Sequence, residues 1–265
     1  MSHPESLTEK KEKSFKVLRI GLDADDTCFD VRQPSLNILN ATYGTSFTKE
    51  DINTFWYMQT FLKQIGVLKE EAEAFFDEVY RSPDDPYRVY RDSLPLPGAV
   101  GVINGLYRAK HLPLIITTRP PGLEKVLEEQ FKMAGIDWIK GDWAEGGNIL
   151  IRDGDYWQRM SGEEFKLRAI RGDFPDGKYQ DFPGVDLHLD DMGMLLDHPL
   201  AVAVKNKIFI IPHRYNQSFP PENLVKNWWV FYKVVRCLAR GDDLNWLMSH
   251  NIHGKDFMLS LKNDS

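Results

Sequence analysis

Three polar clusters stand directly behind short apolar runs: Asp23-Ala24-Asp25-Asp26-Thr27, Thr117-Thr118-Arg119 and Asp190-Asp191. A lysine, Lys166, lies between the last two. Carboxylates gathered in one pocket repel one another unless a divalent cation sits between them, and oxygen-only ligands suit magnesium. A carboxylate can also attack phosphorus and carry an aspartyl-phosphate. Asp25, two residues beyond Asp23, can protonate a leaving oxygen and later activate water. A threonine hydroxyl and a lysine ammonium can hold phosphoryl oxygens as charge shifts in the transition state. Strand alternation favours Thr117 over Thr118 for that contact. Lys166 competes for the lysine role with Lys178, which is nearer Asp190 in sequence.

These groups can meet only if the elements carrying them are neighbours. The runs 17–22, 112–117, 148–151, 185–189 and 202–211 are brief, apolar and partly β-branched, and they read as buried strands. Pro97-Gly98 opens a helix through Ala99, Val102, Ile103 and Leu106. Further helices are expected over 123–134, closed by Gly135, over 163–171, and over 220–240, which carries Trp228 and Trp229. Strands alternating with helices imply a mostly parallel sheet covered on both faces, with ligands at the carboxyl ends of the strands. The segment 30–93 breaks this rhythm. Leu36, Leu39 and Tyr43, then Phe55, Met58, Phe61 and Leu62, then Ala72, Phe75, Phe76 and Val79 form amphipathic stripes without β-alternation. Thr48 to Asp51 is a capped helix start. The expected organisation is an N-terminal arm over 1–16, a doubly wound α/β core over 17–29 and 94–265, and an all-helical insertion over 30–93.

The order of these clusters resembles the haloacid dehalogenase superfamily. Asp23-Ala24-Asp25-Asp26-Thr27 is similar to its first motif, Asp-x-Asp-x-Thr. Ile115-Ile116-Thr117 resembles the second, Lys166 the third, and Leu187-His188-Leu189-Asp190-Asp191 the fourth. The resemblance spans about Val17 to Ile211. It implies a Rossmannoid fold with a helical cap, Asp23 as nucleophile, Asp25 as acid/base, and magnesium held by Asp23, Asp190, Asp191 and the backbone carbonyl of Asp25. Within the superfamily the chain most resembles the 5'(3')-deoxyribonucleotidases, which share a helical cap, a Pro-Gly helix start and an Asp-Asp fourth motif. Those enzymes usually carry a glycine and an aliphatic residue where this chain has Asp26 and Thr27. The segment 143–179 is longer than the resemblance implies.

Composition narrows the partners. The formal net charge is −6, which offers no extended track for a nucleic-acid backbone. The two cysteines, Cys28 and Cys237, form no disulfide framework and suit a reducing compartment. No apolar run is long enough to span a bilayer, so a cytoplasmic protein is expected. The expected activity is magnesium-dependent hydrolysis of a small phosphomonoester, with a nucleoside monophosphate ahead of a phosphosugar. A silent binding protein of the same fold is the contrasting reading, and intact Asp23 and Asp25 argue against it. A receiver domain is excluded, because its acidic pair follows the first strand and here the pair comes last. Thr118 and Arg119 are expected at the substrate. His188 and Cys28 are expected to pack without catalytic roles. Phe55, Trp56 and Tyr57 read as core more readily than as a stacking platform, although they and Phe29 lie where a base could stack. Trp228 and Trp229 are expected to pack on the sheet. His213-Arg214-Tyr215-Asn216 reads as a polar turn with a weak claim on substrate.

Overall fold

The computed structural model of the chain describes residues 15–81, 88–216 and 219–242. Most of the expected N-terminal arm lies outside the described residues, as do 82–87 of the helical insertion and everything after 242.

The first element, β1 (Arg19–Leu22), is short and apolar because both of its faces are covered. The chain turns at once into β2 (Phe29–Asp30). Among the described residues four α-helices follow: α1 (Arg32–Tyr43), α2 (Tyr57–Gln64), α3 (Lys69–Arg81) and α4 (Arg88–Arg91). The chain then returns through β3 (Leu94–Pro95), which pairs antiparallel with β2. This two-stranded ribbon is the neck of the insertion. The expected stripes form its own apolar core, with Leu36, Leu39, Phe61, Leu62, Phe75 and Val79 buried together. Leu123 and Val126 join that cluster from outside the insertion and seat it on the sheet domain.

Beyond the neck the elements are α5 (Ala99–Arg108), β4 (Leu112–Thr117), α6 (Glu124–Met133), β5 (Ile149–Ile151), α7 (Gly154–Arg159), α8 (Gly162–Arg171), β6 (Leu187–Asp190), β7 (Ile208–Ile210) and α9 (Trp228–Ala239). The five longer-range strands pair in parallel in the order β5-β4-β1-β6-β7. Alternation along β4 shows the two faces. Ile115 packs with α5, α6 and α9, whereas Leu114 and Ile116 pack with α8 and the aromatic residues Tyr156, Phe174 and Tyr179. The fold is therefore the doubly wound α/β sheet with a helical insertion that the sequence implies. β1 stands at the centre, and the strand order switches direction around it. That is where ligands collect in open α/β sheets.

Three expected boundaries change. The strand over 202–211 shrinks to β7, because residues 199–207 wind into two short 3-10 turns and Val202 is 86% exposed. β6 offers only a short edge, and its pairing with β7 runs only from Ile208 to Ile210. The helix over 220–240 starts only at Trp228, where the Asn227 side chain accepts the Val230 N–H. Before it, Asn223 donates to the carbonyls of Ile208 and Lys205, and Val225 N–H donates to Ile210, so this stretch lies along β7. Thr48 to Asp51 does form a capping box, but over a single 3-10 turn. Of the tryptophan pair, Trp228 is buried on the sheet, while Trp229 is 55% exposed.

Trp228 also touches the loop after β1, since its Nε1–H donates to the Thr27 carbonyl at 3.0 Å. Trp228→Ala removes a fully buried ring and orphans that carbonyl. It should destabilise the fold by about 3–5 kcal/mol, read as a lower midpoint in urea unfolding with an unchanged slope.

Candidate active site

Strand order and register bring the expected residues together. Leu22 of β1 pairs with Ile115 of β4 on one side and Leu189 of β6 on the other. Asp23, Thr117 and Asp190 therefore emerge at the same carboxyl edge from three adjacent strands. Asp23 N–H extends the ladder by donating to the Leu189 carbonyl at 2.9 Å. Ser161 caps α8 by accepting the Glu164 N–H, and the first turns of that helix carry Lys166 over the sheet. Lys166 Nζ stands 2.8 Å from Asp23 Oδ1 and 2.9 Å from Asp190 Oδ2. Lys178 goes elsewhere: it pairs with Asp142 and Asp153.

Asp23, Asp190 and Asp191 are all buried, and one oxygen from each lies within 4.8 Å of the others. Among the described residues one cation, Lys166, forms ion pairs with this triad. If all three carboxylates were ionised, one ammonium would leave two negative charges in a desolvated site. Burial pushes the Asp23 carboxyl well above the usual carboxylate range; Lys166 opposes this, and Asp190 and Asp191 add to it. Burial likewise raises Asp191 to about 8, with Asp26 and Asp190 contributing. Asp190 goes the other way, to about 2, because Lys166 and His188 outweigh its burial. Burial disfavours the Lys166 charge, but Asp190 and Asp23 more than offset it and hold the lysine protonated. This set of buried oxygen donors, whose full ionisation needs positive charge beyond Lys166, fits a divalent cation such as magnesium.

The other two acids of the first cluster turn away from the triad. Arg119, also buried, grips the Asp25 carboxylate with Nε at 3.1 Å and Nη2 at 2.5 Å. The same guanidinium donates to Gln130 and lies 3.9 Å over the Tyr90 ring. Arg119 is thus a partner of Asp25, tied to α6 and to the helical insertion. Asp25's carboxylate is not part of the triad, which leaves its expected metal contact to the backbone carbonyl. Thr117 Oγ1 accepts the Arg119 N–H at 3.3 Å, and Thr118 packs against Gly162. Asp26 has φ +56°, the left-handed region. That accounts for glycine being usual there in the family the sequence resembles. Aspartate tolerates this conformation, and here its side chain accepts the Val31 N–H and pairs with Arg32 at 3.0 Å.

Sequence reasoning missed a second tier. The Thr27 hydroxyl lies 3.5 Å from Asp23 Oδ2. Tyr215 donates to Asp191 Oδ2, and Asn216 Nδ2 donates to the Asp191 carbonyl at 2.8 Å. His213 donates from Nε2 to the Asp26 carbonyl at 2.7 Å. Burial and the nearby Arg32 charge lower His213 to about 3, so it is neutral. The polar turn after β7 therefore braces the site and is not merely a loop. Its signal was visible: polar residues directly behind a strand on the edge where the other clusters lie.

A cleft of about 420 Å³ opens over the triad. Its walls include Phe55, Trp56, Phe76 and Tyr80 from the insertion and Arg152 and Trp157 from the long segment after β5. Of the aromatic trio expected to be core, only Tyr57 is fully buried; Phe55 is half-buried, and Trp56 is 52% exposed in the cleft wall. Phe29, a candidate for stacking, instead packs edge-on against Phe131 in the core. Cys28 is buried, as expected.

No family model matches the chain, and no curated protein matches it. Solved structures do. A haloacid dehalogenase-like hydrolase, provisionally so named, from Bacteroides fragilis is 16% identical, with a TM-score of 0.49, over 80% of this chain and 98% of that one. A provisionally named β-phosphoglucomutase from Bacteroides vulgatus is 15% identical, with a TM-score of 0.47, over 87% and 93%. A provisionally named phosphoglycolate phosphatase from Lactobacillus delbrueckii subsp. bulgaricus is 13% identical, with a TM-score of 0.44, over 84% and 99%. Among the described residues no helix is long and apolar enough to cross a membrane.

The crowding of acids has a measurable consequence. With Asp191 raised to about 8, the metal-free folded chain keeps a proton that the unfolded chain has released. Stability therefore falls as pH rises from about 4 to 8, by roughly 1 kcal/mol per pH unit. Asp191→Asn removes that penalty and keeps an acceptor for Tyr215. The variant should melt above the parent chain at pH 8 in chelator, and the gap should close towards pH 4.

Proposed function

We propose that the chain is a magnesium-dependent phosphomonoester hydrolase of the haloacid dehalogenase type that acts through an aspartyl-phosphate on Asp23. One observation carries this reading: Asp23 lies at the bottom of a cleft, 2.8 Å from Lys166, beside two further buried carboxylates. Asp23, Asp190 and Asp191, with the Asp25 carbonyl, would hold the ion. Magnesium, when bound, supplies the positive charge that lets an anionic nucleophile approach an anionic phosphoryl group.

This chain's own residues do the rest. An oxygen of Asp23 bonds to phosphorus as the bond to the leaving alkoxide breaks. Asp25 protonates that oxygen and then takes a proton from the water that hydrolyses the acyl-phosphate. Arg119 fixes the direction of Asp25. Lys166 and the Thr117 hydroxyl steady the phosphoryl oxygens, and Thr118 lines the cleft beside them. The helical insertion is a cap over the strand ends, which limits water and excludes bulky substrates.

The substrate is a small phosphomonoester, not a polymer. A phosphosugar or similar small organic phosphate is the preferred form. The core side of the cleft carries Thr118, Arg152, Ser161 and Glu163, groups that hydrogen-bond hydroxyls or a second acid, and the names of two structural neighbours point to the same class. A nucleoside monophosphate is the second reading, favoured by the aromatic wall of Trp56, Phe76 and Trp157. The two free thiols suit a cytoplasmic setting.

Release of phosphate from p-nitrophenyl phosphate should require magnesium and stop in EDTA; undiminished turnover in chelator would overturn the mechanism. Asp23→Asn should lower kcat by at least about 1000-fold, since an amide is no anionic nucleophile, with circular dichroism unchanged. Asp25→Asn should fail at leaving-group protonation, and its loss should be smaller on p-nitrophenyl phosphate, whose leaving group needs no proton, than on alkyl phosphates. A panel of sugar phosphates and nucleoside monophosphates ranks the two substrate readings.

A further inference from the structure

His188 takes no part in the steps above, yet it is fully buried beside them. It sits on β6 two residues before Asp190, so both side chains leave the same face of the strand. Its Nε2 lies 2.7 Å from Asp190 Oδ2. A carboxylate only accepts, so the hydrogen of this bond is on the imidazole. Asp190 Oδ1 accepts the Met192 backbone N–H at 2.9 Å and a Lys166 hydrogen at 3.1 Å. The aspartate is thereby clamped by a ring, a backbone amide and an ammonium that reach it from β6, the following turn and α8.

The ring has a place made for it. Gly21 of β1 stands directly opposite His188 in the parallel pair. A Cβ on Gly21 would come within 2.7 Å of His188 Nδ1 and within 2.7 Å of Ile116 Cδ1. Gly21 lies inside a regular strand, so its backbone does not require glycine; the imidazole and the Ile116 side chain leave no room for a Cβ. Nδ1 makes no hydrogen bond of good geometry, and its polar neighbour is the backbone of Gly21. A leucine would fill this interior without leaving a polar atom unmet, so packing alone does not explain a histidine here.

We infer that His188 is a positioning residue that fixes the rotation of the Asp190 carboxylate and so prepares it to ligate the divalent cation. The inference rests on the metal-binding reading of the triad. Ligand carboxylates are commonly oriented by hydrogen bonds from a second layer of residues, and loss of one such partner weakens metal binding by about 10- to 100-fold. Gly21 is part of the same device, because a side chain there would displace the ring.

The test is calorimetric titration of magnesium alone into the full chain, with melting curves recorded in parallel. His188→Leu fills the space but cannot donate, and should weaken magnesium binding by about 10- to 100-fold. His188→Gln places an amide N–H near the original Nε2 and should restore affinity to within about threefold of the parent, which a space-filling role does not predict. If His188→Leu does not fold, His188→Asn, too short to reach Asp190, replaces it in the comparison with His188→Gln. Equal magnesium affinity in the parent and the non-donating variant would overturn the role of His188 and leave the metal site standing. Absence of magnesium binding by the parent chain would overturn the metal reading, and this inference with it.

Discussion

The ammonium of Lys166, held between Asp23 and Asp190, is the interaction on which the site depends. Both carboxylates are almost wholly buried, where unpaired charge is severely penalised. Each rests on a different strand, and the lysine comes from a helix crossing above them. Sheet order, the Ser161 cap and the packing of α8 must therefore all be right for the pair of contacts to exist. One ammonium does not neutralise three acids. Burial, with the neighbouring acids adding to it, raises Asp23 and Asp191, and ionising them in the metal-free fold carries a penalty that a bound cation would relieve.

The remaining acids of the first cluster are compensated separately. Asp25 is paired with Arg119, and Asp26 with Arg32. Each arginine is also a link to the helical insertion. Arg119 stacks on Tyr90 of α4, and Arg32 opens α1 while its Nη2 approaches His213 at 2.9 Å. Arg214 donates to the Glu50 carbonyl, and Tyr215 donates to Asp191. The turn after β7 therefore touches the triad, the Asp26 loop and the insertion at once. Seating of the insertion and orientation of Asp25, Asp26 and Asp191 are coupled through these contacts.

Local pattern carried the fold class far. The apolar runs ending in acid or hydroxyl residues located β1, β4 and β6 at their functional ends, because a strand buried on both faces must be apolar and its first polar residue marks its exit. The stripes in 30–93 located the helices of the insertion. Pattern failed where tertiary pairing decides. Val202 to Val204 is as β-prone as β7, but β6, the strand beside which it would extend β7, pairs only over His188–Asp190. Residues 220–227 do not continue the apolar helix that follows them, and Asn223 and Val225 bond to β7 instead.

At the site, sequence determined residue types and order: which acids follow which strands, and a lysine near a helix start between them. It did not decide between Lys166 and Lys178, which are similar in type and setting along the chain. The superposition of α8 on the β1–β6 pair decides that, and it sends Lys178 to Asp142 and Asp153. Nor could sequence show that Asp25 and Arg119 form a pair across 94 residues, that the 213–216 turn braces Asp191, or that Gly21 leaves room for His188. Each is a contact between segments distant along the chain. Periodicity and capping act over a few residues, whereas partner choice among buried charges is settled by which strands lie side by side.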